Sequence, residues 1–223
     1  MKKLYFFVSG ILLCTIVQAQ INKGEIMIGG NIGYSEQSGT NSGSPVITTK
    51  IESWNVNPSF GKAIKDNLVL GLDINYGHSH YDNGDPSYDN GTNNYKAGVF
   101  LRRYKPIGNN FYLFIQSMFS VTYTHGTASY QNGNNVPYTH DDNKMFGVAV
   151  QIYPGISYAI NRKWQLETGL PNFLSAAYSH SKDVVSNTPG QPDQSSSGHS
   201  FQISSSLTGT NQFTVGVRYF IGG

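Results

Sequence analysis

Apolar and polar residues alternate with a period of two along most of this chain. Successive side chains of a strand point to opposite faces, so each such run has one apolar and one polar side. The first run sets Ile26, Ile28, Gly30, Ile32 and Tyr34 against Met27, Gly29, Asn31, Gly33 and Ser35. A later one sets Leu68, Leu70, Leu72, Ile74 and Tyr76 against Val69, Gly71, Asp73, Asn75 and Gly77. The last places Phe213, Val215, Val217, Tyr219 and Ile221 opposite Gly216, Arg218 and Phe220. Eight runs can be traced, each about 11 to 15 residues long, enough for a tilted strand to cross a bilayer.

The connections alternate in length. Short charged turns fall around 62–67, 105–110 and 161–163, and long stretches rich in Gly, Asn, Ser and Tyr at 36–49, 79–93, 125–143 and 181–198. Strands threading up and down through a membrane leave this rhythm, with tight turns on one side and free loops on the other. It predicts an all-β fold: an eight-stranded antiparallel up-and-down transmembrane β-barrel with short periplasmic turns and long extracellular loops. Pro171-Asn172 and Thr208-Gly209-Thr210-Asn211 interrupt the last two runs. If the breaks face each other as a bulge, both strands are long and kinked and their hairpin extends above the membrane. Ten strands is the alternative.

The first 19 residues are set apart as a cleaved signal peptide. Lys2 and Lys3 precede an apolar stretch over 4–17, and Val17-Gln18-Ala19 ends on small residues. That stretch is shorter than the ~20 residues of a spanning helix. Residues 20–223 then form the barrel domain, and Cys14, the one cysteine, leaves with the leader. Disulfides and thiolate chemistry are thereby excluded.

Composition supports the membrane reading. The hydrophobic fraction of 38% is low for a soluble core of this length, while aromatic residues reach 13%. A barrel needs an apolar side chain only at every second position and collects aromatic residues at its rims. Trp54, Tyr76, Tyr95, Tyr123, Tyr158, Trp164 and Tyr219 are expected in such girdles. A soluble β-sandwich or lipocalin-like barrel is the competing architecture. Removing Lys2 and Lys3 from 15 basic residues leaves as many basic as the 13 acidic ones. No basic patch suited to nucleic acid remains.

Three sets of residues have chemistry to offer. Asp73, Arg102, Glu167 and Arg218 point into the lumen with Gln116 and Gln151. An eight-stranded interior is just wide enough for side chains to fill, so these charges are expected to pair as an internal plug, or alternatively to line a narrow conduit. All six histidines fall towards the long-connection side; His78 and His80 share a face and form a candidate metal pair beside Asp82, Asp85, Asp141 and Asp142. A His with a Ser and an acidic residue near the outer rim would suit acyl-transfer chemistry at the membrane surface. His78, Ser79, Asp82, His125 and Ser129 supply those residue types without a local motif. No cofactor is expected.

The segments "NPSFGKAIKDNLVLGLDINYG", "FLRRYKPIGNNFYLFIQ", "YPGISYAINRKWQLETGL" and "FTVGVRYFIGG" resemble the small outer-membrane β-barrel proteins of Gram-negative bacteria, especially the Bacteroidota type. The resemblance covers essentially 20–223. It implies an outer-membrane location, contact with lipid and lipopolysaccharide, and insertion by the barrel-assembly machinery. Thr214, Gly216, Tyr219 and Ile221 resemble the insertion signal, although the chain ends Phe220-Ile221-Gly222-Gly223 where relatives usually end on an aromatic residue. The function expected is a structural or surface-contact role in a monomer. A porin-like conduit is the alternative and a lipid-modifying enzyme the third reading.

Overall fold

The computed structural model describes residues 21–41, 47–84, 88–132, 136–170, 173–186, 192–205 and 214–222. The leader, the Pro171-Asn172 break and the 208–211 segment lie outside the described residues. Ten strands follow in chain order: β1 (Ile26–Asn41), β2 (Ile47–Lys65), β3 (Leu68–Asp82), β4 (Tyr88–Pro106), β5 (Phe111–Asn132), β6 (Val136–Ala159), β7 (Trp164–Gly169), β8 (Leu174–Ser186), β9 (Gln194–Ser205) and β10 (Thr214–Ile221).

Eight of them close a ring. Consecutive strands from β1 to β7 pair antiparallel, β7 pairs with β10, and β10 returns to β1 through Ile26↔Ile221 to Asn31↔Gly216. The predicted seventh run is β7 continued by β8, and the eighth is β9 continued by β10. Gly169↔Thr214 is the last described pair below the two breaks and Leu174↔Ser205 the first above them. The β8–β9 hairpin therefore stands on the upper part of β6, through His140↔Ser186 to Ile152↔Leu174.

A proline marks the handover between the two ladders on β6. β6 pairs with β7 from Gly155 and with β8 up to Ile152, so Tyr153 and Pro154 fall between the two ladders. Pro154 has no N–H to donate across a ladder; its carbonyl still accepts from Leu170 N at 3.0 Å. Pro58 raises the same problem in β2, and the side chain of Asn57 answers it: its Nδ2 donates to Ile74 O at 3.0 Å.

The tight turns are built as the sequence suggests. Asp66-Asn67 connects Lys65 to Leu68, with Asn67 in the left-handed region at φ 59° that Asn tolerates. Asn161 Oδ1 accepts from the backbone N–H groups of Lys163 and Trp164 at 2.8 and 2.9 Å. On the other side, pairing runs far into what reads as loop. The β5–β6 ladder continues past Tyr130↔Thr139. Gly, Asn and Ser lower strand propensity residue by residue, but a long ladder already in register carries them.

The exterior and interior alternate strictly in the lower half. Along β5, Phe111, Leu113, Ile115 and Phe119 are exposed while Tyr112, Phe114, Gln116 and Met118 are buried. Two aromatic bands bound the apolar belt. Trp54, Tyr76, Tyr95 and Tyr123 form a continuous upper row with centroids 5.2, 5.2 and 6.4 Å apart. Below lie the pairs Phe111–Tyr158 and Trp164–Tyr219, at 4.9 and 4.7 Å. Phe111 and Tyr123 on one strand, ~3.4 Å per residue and tilted ~40°, are roughly 30 Å apart along the barrel axis, a membrane's thickness.

Inside, glycines face bulky neighbours. A Cβ on Gly155 would lie 2.6 Å from Thr168 O and run into the Phe114 ring; one on Gly71 would meet the Phe100 ring. Small-for-large matching of this kind is how a narrow barrel fills without voids. Gly155→Val is expected to lower barrel stability by about 1–3 kcal/mol, the usual cost of overpacking. Urea unfolding followed by the shift between unboiled and boiled gel bands measures it, and an unchanged midpoint would contradict the packing.

Candidate functional site

The lumen has two parts. Its lower half is filled by Met27, Val69, Phe100, Tyr104, Tyr112, Phe114, Met118 and Phe220, all buried. Ile21 closes the base from below, 1% exposed. Its segment is tied to the β2–β3 turn: Asn67 N donates to Ile21 O at 2.9 Å, Lys23 N to Asp66 Oδ1 at 2.9 Å, and Gly24 N to Ala63 O at 2.8 Å.

A charged layer caps this apolar floor. Arg102, Glu167 and Arg218 are 1, 4 and 5% exposed. Arg102 Nη1 lies 2.6 Å from Glu167 Oε2, and Arg218 Nε reaches the same oxygen at 3.1 Å as an ion pair without hydrogen-bond alignment. Glu167 Oε1 accepts from Tyr104 Oη at 2.7 Å. Arg102 donates further to Gln116 Oε1 at 2.6 Å, Tyr104 Oη at 3.1 Å and Tyr153 Oη at 3.1 Å. Its guanidinium lies 4.6 Å from the Phe114 ring centroid. Charges taken from water cost several kcal/mol each unless neutralised and hydrogen-bonded; this layer meets both conditions for Arg102 and Glu167.

Asp73 stands apart from the other three. It is 6% exposed and accepts from Asn57 Nδ2 at 2.5 Å. Asn75, its neighbour on the same face of β3, pairs in register with Lys96 of β4. Above the charged layer the lumen opens into a cup of about 410 Å³. Its wall is mostly neutral and polar, with Asn31, Ser53, Asn55, Asn57, Asn75, Thr92, Asn94, Gln116 and Gln151, and its charged side chains Asp73 and Lys96 balance.

The outer hairpins hold the remaining candidates. His78 Nδ1 contacts Asn93 Oδ1 at 3.0 Å on the outward face, next to Trp54, whereas Ser79 Oγ bonds Ser53 Oγ at 2.9 Å on the opposite face. His80 sits across from Glu52 and Gly91. His125 meets Asp142 at 2.8 Å, and Ser129 meets His140 at 3.2 Å, as separate contacts. The Lys144 ammonium, 2.6 Å from Asp142, and His125 hold that carboxyl below its ordinary range. The stabilisation is present above the ordinary carboxylate pKa and is lost as pH falls through the lowered value. No group of three or more His, Cys, Asp or Glu side chains converges among the described residues. His78, Ser79 and Asp82 are not brought together as a catalytic set. On the same side Lys50 lies 2.6 Å from Glu52 and 3.5 Å from Glu36.

Sequence reasoning stopped short of Tyr104 and Tyr153, the phenols that complete the charged layer. Each lies two residues beyond a lumen-facing residue already named, Arg102 and Gln151. Carrying the period of two one step further finds both.

An apolar belt between aromatic girdles around a closed ring, with a buried charged layer and a polar cup inside it, defines an integral membrane β-barrel of the outer-membrane type. No protein-family model matches the sequence and no curated protein matches it. Among solved structures, the chain is similar to the outer membrane protein OprG from Pseudomonas aeruginosa. The TM-score is 0.52 and the identity 12%, over 93% of this chain and all of OprG. Weaker likenesses link it to Neisserial surface protein A (TM-score 0.38, 16% identity, 88% of this chain and 99% of that one). A major outer membrane protein from Thermus thermophilus is similar at TM-score 0.45 and 11% identity, over 88% and 99% of the two chains. The OprG likeness supports the fold.

Glu167 is the shared partner of two buried guanidiniums. Glu167→Gln keeps its shape and removes its charge, and is expected to cost about 3–5 kcal/mol. A urea midpoint within experimental error of wild type would show that the layer contributes nothing.

Proposed function

We propose that the protein is a resident barrel of the Gram-negative outer membrane, of the type found in Bacteroidota, with a structural and surface-contact role. The leader over 1–19 directs export. β10, which closes the ring between β1 and β7, carries Thr214, Gly216, Tyr219 and Ile221 as the insertion signal. The outer hairpins, which carry Glu36, Asp82, Asp141, Asp142 and Asp183 against Lys144 and Lys182, meet lipopolysaccharide and the divalent cations bound to it. The chain works as a monomer, without a cofactor and without catalysis.

One observation carries this reading against a conduit: the lumen is filled from Ile21 up to the Arg102–Glu167–Arg218 layer. A solute entering from outside meets a floor. Against the lipid-modifying reading stands the separation of His78, Ser79 and Asp82, with no shared contact among them.

In planar bilayers the wild-type protein is expected to give no discrete, reproducible openings, while Phe100→Ala/Phe114→Ala, which empties the floor, is expected to conduct. Discrete wild-type openings would establish the conduit instead. Lipid A mass spectra from cells with and without the protein are expected to match; a changed acyl pattern would establish an enzyme.

A further inference from the structure

The outward face of the β8–β9 hairpin sets two imidazoles side by side. His180↔His199 is an in-register pair, and residues directly opposite each other share one face of a sheet. Tyr178 stands on the same face, its hydroxyl 2.7 Å from His199 Nδ1. The two imidazole centres are 4.5 Å apart, with the ring planes at 35°. Tyr123↔Phe146, Phe146↔His180 and His180↔His199 form one row of register. The pair therefore continues the upper aromatic band and stands where water meets the lipid headgroups.

Each ring keeps a nitrogen free. His180 makes no hydrogen bond among the described residues; its Nδ1 is the buried nitrogen, and Nε2 is open to solvent. His199 is exposed and bonds among them only to Tyr178. When His199 donates Nδ1–H to Tyr178 Oη, its Nε2 keeps a lone pair, the arrangement in which imidazoles ligate metals. An ion ~2.1 Å from each of two imidazole nitrogens lies roughly 3.2 Å from each ring centre. Two rings at square or tetrahedral angles then have centres about 4.5–5.2 Å apart. The observed separation falls at that spacing. The adjoining positions on this face are Phe146, Tyr178, Lys182, Ser197 and Phe201, none of them a carboxylate. Ca²⁺ and Mg²⁺ take oxygen ligands and find no carboxylate there. Lys182 further disfavours a cation held by charge alone. Ions that prefer imidazole nitrogen are the ones that fit.

We propose that His180 and His199 form a surface site for a divalent transition-metal ion, Cu²⁺ in preference to Ni²⁺ or Zn²⁺. Both imidazoles ligate through Nε2, and the remaining coordination positions stay open to water or an outside ligand. The site lies on the outside of the wall, apart from the lumen, so it stands or falls independently of the sealed base and of the surface-contact role.

Metal-free protein, folded in detergent, is titrated with CuCl2 and the bound Cu²⁺ is read by continuous-wave and pulsed EPR. Saturable binding is expected, with a pair of imidazole nitrogens coupled to the tightest-bound ion. His180→Gln and His199→Gln are each expected to weaken binding at least about tenfold and to leave a single coupled imidazole. His78→Gln/His80→Gln, which removes the other pair of histidines two residues apart, is expected to leave both readouts unchanged. Both side chains of the proposed site are on the surface, and the unboiled gel shift of each variant establishes that it is folded. Absence of saturable Cu²⁺ binding by folded wild type would overturn the proposal. So would binding unchanged in both the His180 and His199 variants, or binding lost in the His78/His80 variant instead.

Discussion

The rest of the barrel is arranged around one carboxylate. Glu167 sits on the short strand β7, 4% exposed, with a guanidinium from β4 and another from β10 against the same oxygen. An unneutralised charge at that depth is prohibitive, so the three strands have to reach the lumen at one level. Tyr104, Gln116 and Tyr153 then take the remaining donors and acceptors of Arg102 and Glu167. The layer links strands far apart in sequence across the inside of the ring, where backbone ladders cannot. Gly29, Gly71 and Gly155 keep small the lumen positions nearest Arg218, Phe100 and Phe114.

That layer also divides the interior. Below it, aromatic and aliphatic side chains pack as in a soluble core, with Ile21 folded in against the β2–β3 turn. Above it, the wall changes to carboxamides and hydroxyls and the space widens. The change follows the geometry of the strands. In the lower half all eight pair in one ring, whereas above Pro154 the β8–β9 hairpin follows β6 and, among the described residues, has no ladder to β1. Side chains fill the lower ring, and the cup lies above them.

Much of this was legible in the chain. Alternation in β1, β3 and β5 located the lipid face and the lumen face residue by residue, because a period of two admits no other placement once one face must meet hydrocarbon. Arg102, Glu167 and Arg218 were identifiable as lumen charges on the same ground. Their grouping was not, and neither was the separation of Asp73: a face says nothing about height, and height depends on the register between strands that are distant in sequence. The 125–143 stretch reads as loop from its Gly, Asn and Ser, yet β5 and β6 keep their ladder almost to its tip. Local propensity is weak evidence when a neighbouring strand supplies every hydrogen bond. Pro171 and Gly209 lie outside the described residues, and the handover of β6 from β7 to β8 falls at Tyr153 and Pro154 on the neighbouring strand.

The central claim is a barrel sealed below and open above, and thiol accessibility tests it most directly. Cys14 is the chain's one cysteine, so variants built on Cys14→Ser carry one reporter. Asn75→Cys in the cup and Met27→Cys in the floor are treated, folded in membranes, with a small impermeant maleimide. The account predicts that Asn75→Cys is labelled and that Met27→Cys is labelled only after unfolding. Rapid labelling of Met27→Cys in the folded protein, or protection of Asn75→Cys, would contradict it.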